Sequence, residues 1–317
     1  MTAPHPETEP GGRLLVFGAS GFVGRHFCRL AAARDQDLLT VGGPTSGECD
    51  FSVDLRDAAS VAGIVAEARP AAIVNLAGFA SVGKSFREPV ECFDLNAAGM
   101  MAILAAAEGL DDRPYVLAVS SGEVYGEVPE GALPATEQTP AFPRSPYAAS
   151  KLAMEAACTS FPEAVGAIGI ARSFNHTGPG QPRDFAIPHF ARQIVAARAA
   201  GDTSLQLDVG DLTVARDFLD VRDVAAAYCS MVEKRLAGTF NVCSGTPRRL
   251  SEVLEMLATL ADVRVEARVD QTRLRPGEPP IAFGSAAALA EATGWSPAID
   301  LETTLSDLLT DPAEENA

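Results

Sequence analysis

Tyr147 and Lys151 stand four residues apart in Ser145-Pro146-Tyr147-Ala148-Ala149-Ser150-Lys151. Ser145 is a favoured N-cap and Pro146 suits the first helical position, and the alanines and leucine that follow continue a helix. Residues i and i+4 share a helix face, so a phenol and an ammonium project side by side. A cation favours the ionised form of a neighbouring acid and lowers its pKa by about one to three units. That would bring a phenol from about 10 towards the range of a working proton donor or acceptor. The plainer alternative is a surface tyrosine near a surface lysine. Lysine is scarce, with only Lys84, Lys151 and Lys234 in the chain, and this sets Lys151 apart.

A second chemical feature precedes the pair. Leu14-Leu15-Val16-Phe17 is a short apolar strand that runs into Gly18-Ala19-Ser20-Gly21-Phe22-Val23-Gly24 and then a helix to about Ala33. Strand, glycine turn and helix form the phosphate-binding start of a Rossmann unit. Glycines let the backbone approach a pyrophosphate, and the helix N-terminus offers N–H donors. The spacing is GxxGxxG rather than GxGxxG. Gly18, Ser20, Gly21, Phe22, Val23 and Gly24 are therefore expected against a nucleotide.

An acid at the end of the second strand would hold a ribose 2′-OH. The segment Val41-Gly42-Gly43-Pro44-Thr45-Ser46 carries no acid, which favours NADP(H). It carries no arginine either, so NAD(H) stays the alternative. Asp54, followed by Leu55, could reach an adenine amine or cap a helix, and Asp57 is the better cap candidate.

The elements that must position these groups alternate. Ala71–Leu76 reads as a buried strand followed by Ala77-Gly78, and Leu76, Ala77 and Gly78 are placed beside the cofactor. Glu91–Leu110 is a helical pattern carrying Asn96. Tyr115–Val119 is a strand that ends in Ser120-Ser121-Gly122-Glu123, at the rim where open α/β sheets bind ligands. Ala167–Arg172 continues the alternation. These signals predict an α/β, doubly wound parallel Rossmann sheet.

After about Ser173 the pattern loosens into the loop Asn175–Pro182, a helix over Ile187–Ala200, shorter strands, and helices near Ser251–Leu260, Ser285–Thr293 and Leu301–Leu309. This predicts a smaller interleaved C-terminal substrate-binding domain. The expected division is a disordered tail over 1–12, a nucleotide domain over 13–175 and about 219–245, and a substrate domain over about 176–218 and 246–317.

Composition narrows the classes. The chain has 317 residues, 47% of them hydrophobic, and 25 basic against 42 acidic residues give a net charge of −17. That balance argues against nucleic acid or an anionic membrane as a partner. The six cysteines form no CxxC pair and no Cys/His cluster with zinc spacing, so small buried thiols and no metal are expected in a reduced, cytoplasmic chain. No apolar run reads as a membrane span, and the first residues show neither a basic nor an apolar leader region.

The glycine turn, Ser121 at a strand end and Tyr147-x-x-x-Lys151 together resemble the extended short-chain dehydrogenase/reductase family, over nearly the whole chain. The resemblance implies NAD(P), a proton-transferring Tyr147, a Lys151 that binds the nicotinamide ribose and tunes Tyr147, and a Ser121 bonded to the reacting oxygen. It also implies a homodimer formed through paired helices. The segments Arg172–Gln181, Phe190–Ile194, Gly210–Phe218 and Arg275-Pro276-Gly277-Glu278 closely resemble those of GDP-mannose 4,6-dehydratases and GDP-6-deoxy-D-mannose reductases. By that resemblance Asn175, Arg192, Arg216, Arg275 and Glu278 bind a nucleotide-diphosphate sugar. The arginines suit a diphosphate physically, although ordinary surface ion pairs would use the same residues.

Dehydratases need an extra acid/base pair after the catalytic Ser/Thr. Here Glu123 keeps one carboxylate and Gly122 supplies none. The expected reaction is NADPH-dependent reduction of the C4 keto group of an NDP-4-keto-6-deoxyhexose. The alternatives are a 4,6-dehydratase or epimerase that recycles its cofactor, and a non-catalytic NADP sensor.

Overall fold

Leu14–Phe17 is buried on both sides, with Leu14 and Val16 in one apolar core and Leu15 and Phe17 in another. A strand of this kind needs helices on both faces. The computed structural model supplies them and describes residues 12–161, 165–274 and 277–311. The strands are β1 Leu14–Phe17, β2 Leu38–Gly42, β3 Phe51–Ser52, β4 Ala72–Asn75, β5 Tyr115–Ser121, β6 Ala167–Ser173, β7 Asn175–Thr177, β8 Ser204–Val209, β9 Ala215–Asp220, β10 Gly238–Val242, β11 Pro247–Arg249, β12 Arg264–Val269 and β13 Ile281–Ala282. The helices are α1 Phe22–Ala32, α2 Ala58–Ala68, α3 Val82–Ser85, α4 Pro89–Phe93, α5 Gly99–Glu108, α6 Pro146–Thr159, α7 Ala186–Ala200, α8 Val221–Glu233, α9 Leu250–Ala261, α10 Ala287–Thr293 and α11 Leu301–Thr310.

Seven strands form one parallel sheet in the order β3-β2-β1-β4-β5-β6-β10. This is the doubly wound Rossmann order, and its direction of winding reverses between β1 and β4. The cores of α1 and α8 cover one face, and those of α2, α5 and α6 cover the other. A smaller apolar core joins α7, α9 and α11 to β8. There β8 pairs with β12, while β9 pairs with β7, β11 and β13. The chain leaves the main sheet after β6 and returns to it at β10, so the smaller part is interleaved.

Two expectations need correction. The Asn175–Pro182 stretch is not all loop, because its first three residues pair with Phe218–Asp220 as β7. One helical run, Pro89–Glu108, is long and apolar enough by length and composition to cross a bilayer. Its Met100, Ile103, Leu104 and Ala107 line the α2/α6 core, and it holds a buried asparagine and a π-helical turn over Asp94–Ala98. A core helix passes the same test, so the run is weak evidence for a span. The expected tail lies outside the described residues up to residue 11.

Candidate active site

The C-terminal ends of β1 and β4 meet at the switch point. Gly18 has φ +78°, and a Cβ there would stand 2.5 Å from the Ala77 backbone nitrogen. Only glycine lets the turn press so closely on the Ala77-Gly78 segment. Gly21 caps α1 without contributing a side chain to the first-turn amides, so their N–H groups suit an anion. A cleft of about 550 Å³ opens beside the turn, and Gly18, Gly42, Asp54, Leu55, Ala77 and Gly78 are among its lining residues. The backbone cradle, the helix N-terminus and the cleft fit a dinucleotide.

Asp54 does not cap a helix. Its carboxylate accepts bonds from the Arg56 backbone and guanidinium, the shortest 2.6 Å from Nη2. Asp57 caps α2 by accepting from Ser60 N at 3.1 Å. Arg56 also lines the cleft and was missed in the sequence because it lies beyond the β2 tip, where a ribose-reading residue is sought. Ser20 sits on the turn itself and bonds Ser46 Oγ at 2.8 Å. Leu76 follows β4, its backbone N–H donating to Phe17 O.

Ser145 caps α6 by accepting from Ala148 N at 3.1 Å, and Pro146 takes the first helical position. Tyr147 and Lys151 project from this helix, with the Lys151 ammonium 5.9 Å from the centre of the Tyr147 ring. Lys151 is buried and donates to Val119 O at 2.9 Å, just before the end of β5. Ser121, at that end, faces the Tyr147 phenol and accepts from Glu123 N at 3.2 Å.

The electrostatics correct one expectation. Lys151 does not lower the phenol's pKa here. Burial pushes Tyr147 up to about 12, with the bond from Ser121 opposing and the charges of Glu123 and Cys92 adding to the rise. Burial also brings Lys151 down to about 8, against the opposing influence of Cys92 and Glu155. Desolvation outweighs the attraction of the pair because both groups have left water together.

Asn96 was noted in the sequence without a role. It is buried at the π-turn, accepts from Phe79 N at 2.9 Å and donates to Ser150 Oγ at 2.9 Å. It thereby ties the Ala77-Gly78-Phe79 turn to α6. A Cβ at Gly78 would stand 3.7 Å from Lys151 Nζ, so one wall of the cleft lies against the Lys151 ammonium. The signal in the sequence was a polar residue inside an otherwise apolar helix.

On the far side, Asn175 is exposed on β7 and lies opposite Phe218 on β9, two residues beyond Arg216. Arg216 is buried and reaches Glu278 at 2.9 Å, so these two residues are brought together. Arg192 is exposed on α7 and lines a small hollow with Gln181 and Arg183. It does not join the Arg216–Glu278 pair, although its charge, with that of Arg273, helps to lower the pKa of His189. Arg275 lies outside the described residues.

A glycine turn at the switch point of a parallel sheet, beside a rim that carries Ser121, Tyr147 and Lys151, defines a dinucleotide-binding α/β protein with a Ser-Tyr-Lys site. A family model for GDP-mannose 4,6 dehydratase matches residues 15–308, and the chain belongs to that family. It is 39% identical over 301 residues to a GDP-6-deoxy-D-mannose reductase of Pseudomonas aeruginosa, covering 94% of this chain and 96% of the relative. The structure of RMD from Pseudomonas aeruginosa complexed with NADPH matches with a TM-score of 0.84 and 38% identity, over 95% of this chain and 98% of that one. A UDP-glucose 4-epimerase of Thermus thermophilus in complex with NAD matches with a TM-score of 0.83 and 30% identity, over 94% and 98%.

Proposed function

We propose that this protein is an NADPH-dependent 4-ketoreductase of a nucleotide-diphosphate sugar, acting on GDP-4-keto-6-deoxymannose or a close analogue. The observation that carries this reading is the site around Ser121. It presents one Ser–Tyr pair beside a buried lysine, and the next position, Gly122, supplies no second acid. A Cβ at Gly122 would lie 3.0 Å from the Phe174 ring, so a larger residue there would need that ring, buried in a satellite core, to give by a few tenths of an ångström. Elimination of water needs a further acid/base pair on the substrate side, and ketone reduction does not. The sequence identity to the Pseudomonas reductase points the same way.

The roles follow from the chemistry of each group. Gly18, Ser20, Gly21, Phe22, Val23 and Gly24 hold the pyrophosphate, and Asp54, Leu55, Leu76, Ala77 and Gly78 line the adenosine and ribose path. Bound reduced nicotinamide supplies the hydride. Tyr147 donates its phenolic proton to the oxygen of the C4 carbonyl as that oxygen gains charge. A phenol held up to about 12 is fully protonated at neutral pH, the state a donor requires. Ser121 stabilises the same oxygen through its hydroxyl. Lys151 holds the ribose with its ammonium. Burial keeps the proton on Tyr147, and the charge of nearby Glu123 adds to that effect. Asn175, Arg216 and Glu278 receive the nucleotide diphosphate and its ribose, with Arg192 and Arg275 as further candidates.

The nucleotide domain is assigned to 13–175 and about 219–245, and the substrate domain to about 176–218 and 246–317. A homodimer is part of the same reading. Val90, Phe93 and Met101 are 72%, 38% and 50% exposed along one side of α4 and α5. Apolar side chains repeated on one helix face mark a surface that pairs with a second copy. All six cysteines are free, which suits a reducing, cytoplasmic setting.

The test is product analysis with GDP-4-keto-6-deoxymannose and a stoichiometric amount of NADPH. One NADPH oxidised per sugar reduced is expected. Turnover without net consumption would assign the protein to the dehydratases or epimerases instead. Binding of NADPH with no turnover of any keto sugar would mark a sensor.

A further inference from the structure

Helix α6 carries one acidic residue, Glu155, a single turn beyond Lys151. It is 5% exposed. Its carboxylate takes a bond of 2.5 Å from Ser120 Oγ. It also takes a two-pronged contact from Arg172, with Nε at 3.0 Å and Nη2 at 2.7 Å. Arg172 is itself 9% exposed. Its remaining nitrogen, Nη1, donates to Tyr125 OH at 3.1 Å, and its guanidinium lies 4.9 Å from the centre of that ring. Tyr125 donates to Asn241 Oδ1 at 2.7 Å. The network therefore joins α6 to the ends of β5, β6 and β10.

A buried ion pair is a weak device for stability alone, since apolar groups of equal volume often do as well. The position of this pair suggests another purpose. Ser120, which donates to Glu155, immediately precedes Ser121. Lys151 bonds the carbonyl of Val119, one residue earlier. Helix α6 is thus pinned through these side chains to Val119 and Ser120, the two residues of β5 that precede Ser121.

The groups that face Lys151 can be named. Tyr147 and Glu155 come from its own helix, Cys92 from α4, the Val119 carbonyl from β5 and Gly78 from the turn after β4. Glu155 is the carboxylate among them.

We propose that Glu155 is a positioning residue of the Tyr147–Lys151 site: clamped by Arg172 and Ser120, it keeps the Lys151 ammonium charged and fixes α6 against the strand that carries Ser121. The proposal rests on the reading of Tyr147 and Lys151 given above. It makes Arg172 the partner that supplies the hydrogen bonds a carboxylate loses when it leaves water. It makes Ser120, rather than Ser121, the residue that sets the register of α6 on β5.

The chain's three lysines permit a direct test. Protein labelled with 13C at lysine Cε gives few signals, and Lys151→Met identifies the one of interest. In the wild-type protein without cofactor, the Lys151 signal should titrate near 8, where burial places it. In Glu155→Gln its midpoint should fall by about half a pH unit or more, as expected for loss of a neighbouring opposite charge. Glu155→Asp, which keeps the charge but withdraws it, should fall less. The double variant Glu155→Gln/Arg172→Gln leaves neither partner of the pair unmatched, and it should shift the same signal downward by less than the single variant, because a positive charge leaves with the nearer carboxylate.

NADPH affinity, measured by calorimetry, should weaken about threefold or more in Glu155→Gln at pH 8.5 and little at pH 6.5, following the same titration. An unmoved Lys151 midpoint in a folded variant, with only the melting temperature lowered, would reduce Glu155 to a structural role and overturn the proposal. A protein that titrates as described but reduces no keto sugar would instead overturn the assigned reaction and leave the role of Glu155 standing.

Discussion

The nucleotide cleft and the arm proposed to hold the substrate are built from different materials. The cleft is made of backbone. Gly18 brings the turn against Ala77, and the first turn of α1 presents its amides. The substrate arm is made of long charged side chains held by distant partners. Arg216 on β9 meets Glu278, 62 residues later. Backbone recognition depends on local geometry, so it leaves a spacing of glycines that one sequence can reveal. Side-chain recognition depends on which segments the fold brings together. Between them, Ser121, Tyr147 and Lys151 sit on the rim and belong to neither alone.

The sharpest way to test this division is at the seam. Tyr147→Phe keeps the ring and removes the proton. Turnover should fall by roughly a thousandfold, within the range of general acid catalysis. Affinities for NADPH and for the nucleotide sugar should stay near wild type in calorimetry. Substantial remaining activity would break the assignment of Tyr147 as the donor.

A smaller effect should separate the arm from the cleft. Arg216→Met removes a charged donor from the proposed diphosphate site. Losing a hydrogen bond to a charged group costs about 1.5–3 kcal/mol, so KM for the sugar nucleotide should rise by roughly 10–100-fold. NADPH affinity should not move. If it fell equally, the arm and the cleft would not be separate sites.

The glycine turn, the helix under Tyr147 and the main sheet's strands other than the two-residue β3 were legible in the sequence because their signals are local. Ser145 and Pro146 begin α6 where their types predict. Asp57, rather than Asp54, caps α2, as its place before the helix suggests. β12 escaped notice although Arg264, Glu266 and Arg268 alternate with Val265, Ala267 and Val269, because it is mostly exposed and gains its order only by pairing with β8. The raised pKa of Tyr147 was not legible at all. Helical spacing places a lysine beside the phenol, but only the packed structure reveals that both groups lose their water. Asn96 and Glu155 were missed as site residues because each matters through a neighbour far along the chain, Ser150 for one and Ser120 for the other.

The cleft has its own test. Gly18→Ala places a Cβ 2.5 Å from the Ala77 nitrogen at φ +78°. The left-handed conformation alone costs a non-glycine residue about 1–2 kcal/mol, and the contact forces the turn away from β4. NADPH should bind at least about tenfold more weakly, while binding of the sugar nucleotide to the protein without cofactor should be unchanged. Equal loss of both ligands would mean that the variant has damaged the sheet rather than the cradle.

The smallest effect concerns pH, and it joins the two regions again. Reduction needs a protonated Tyr147 and a charged Lys151. Tyr147, pushed up to about 12, keeps its proton throughout the physiological range. Lys151, brought down to about 8, loses its charge as the pH rises through that value. The rate of reduction at limiting NADPH should therefore be level below about pH 7.5 and fall above pH 8, by at most about tenfold per pH unit for one ionisation. The limb belongs to the cleft, because the charge that is lost is the one proposed to hold the ribose. The fall should thus appear in kcat/KM for NADPH and be weaker in kcat at saturating cofactor. A level profile up to pH 10 would mean that the lysine is more strongly held by its neighbours than burial allows. A profile that fell equally in both constants would place its role in the chemical step instead.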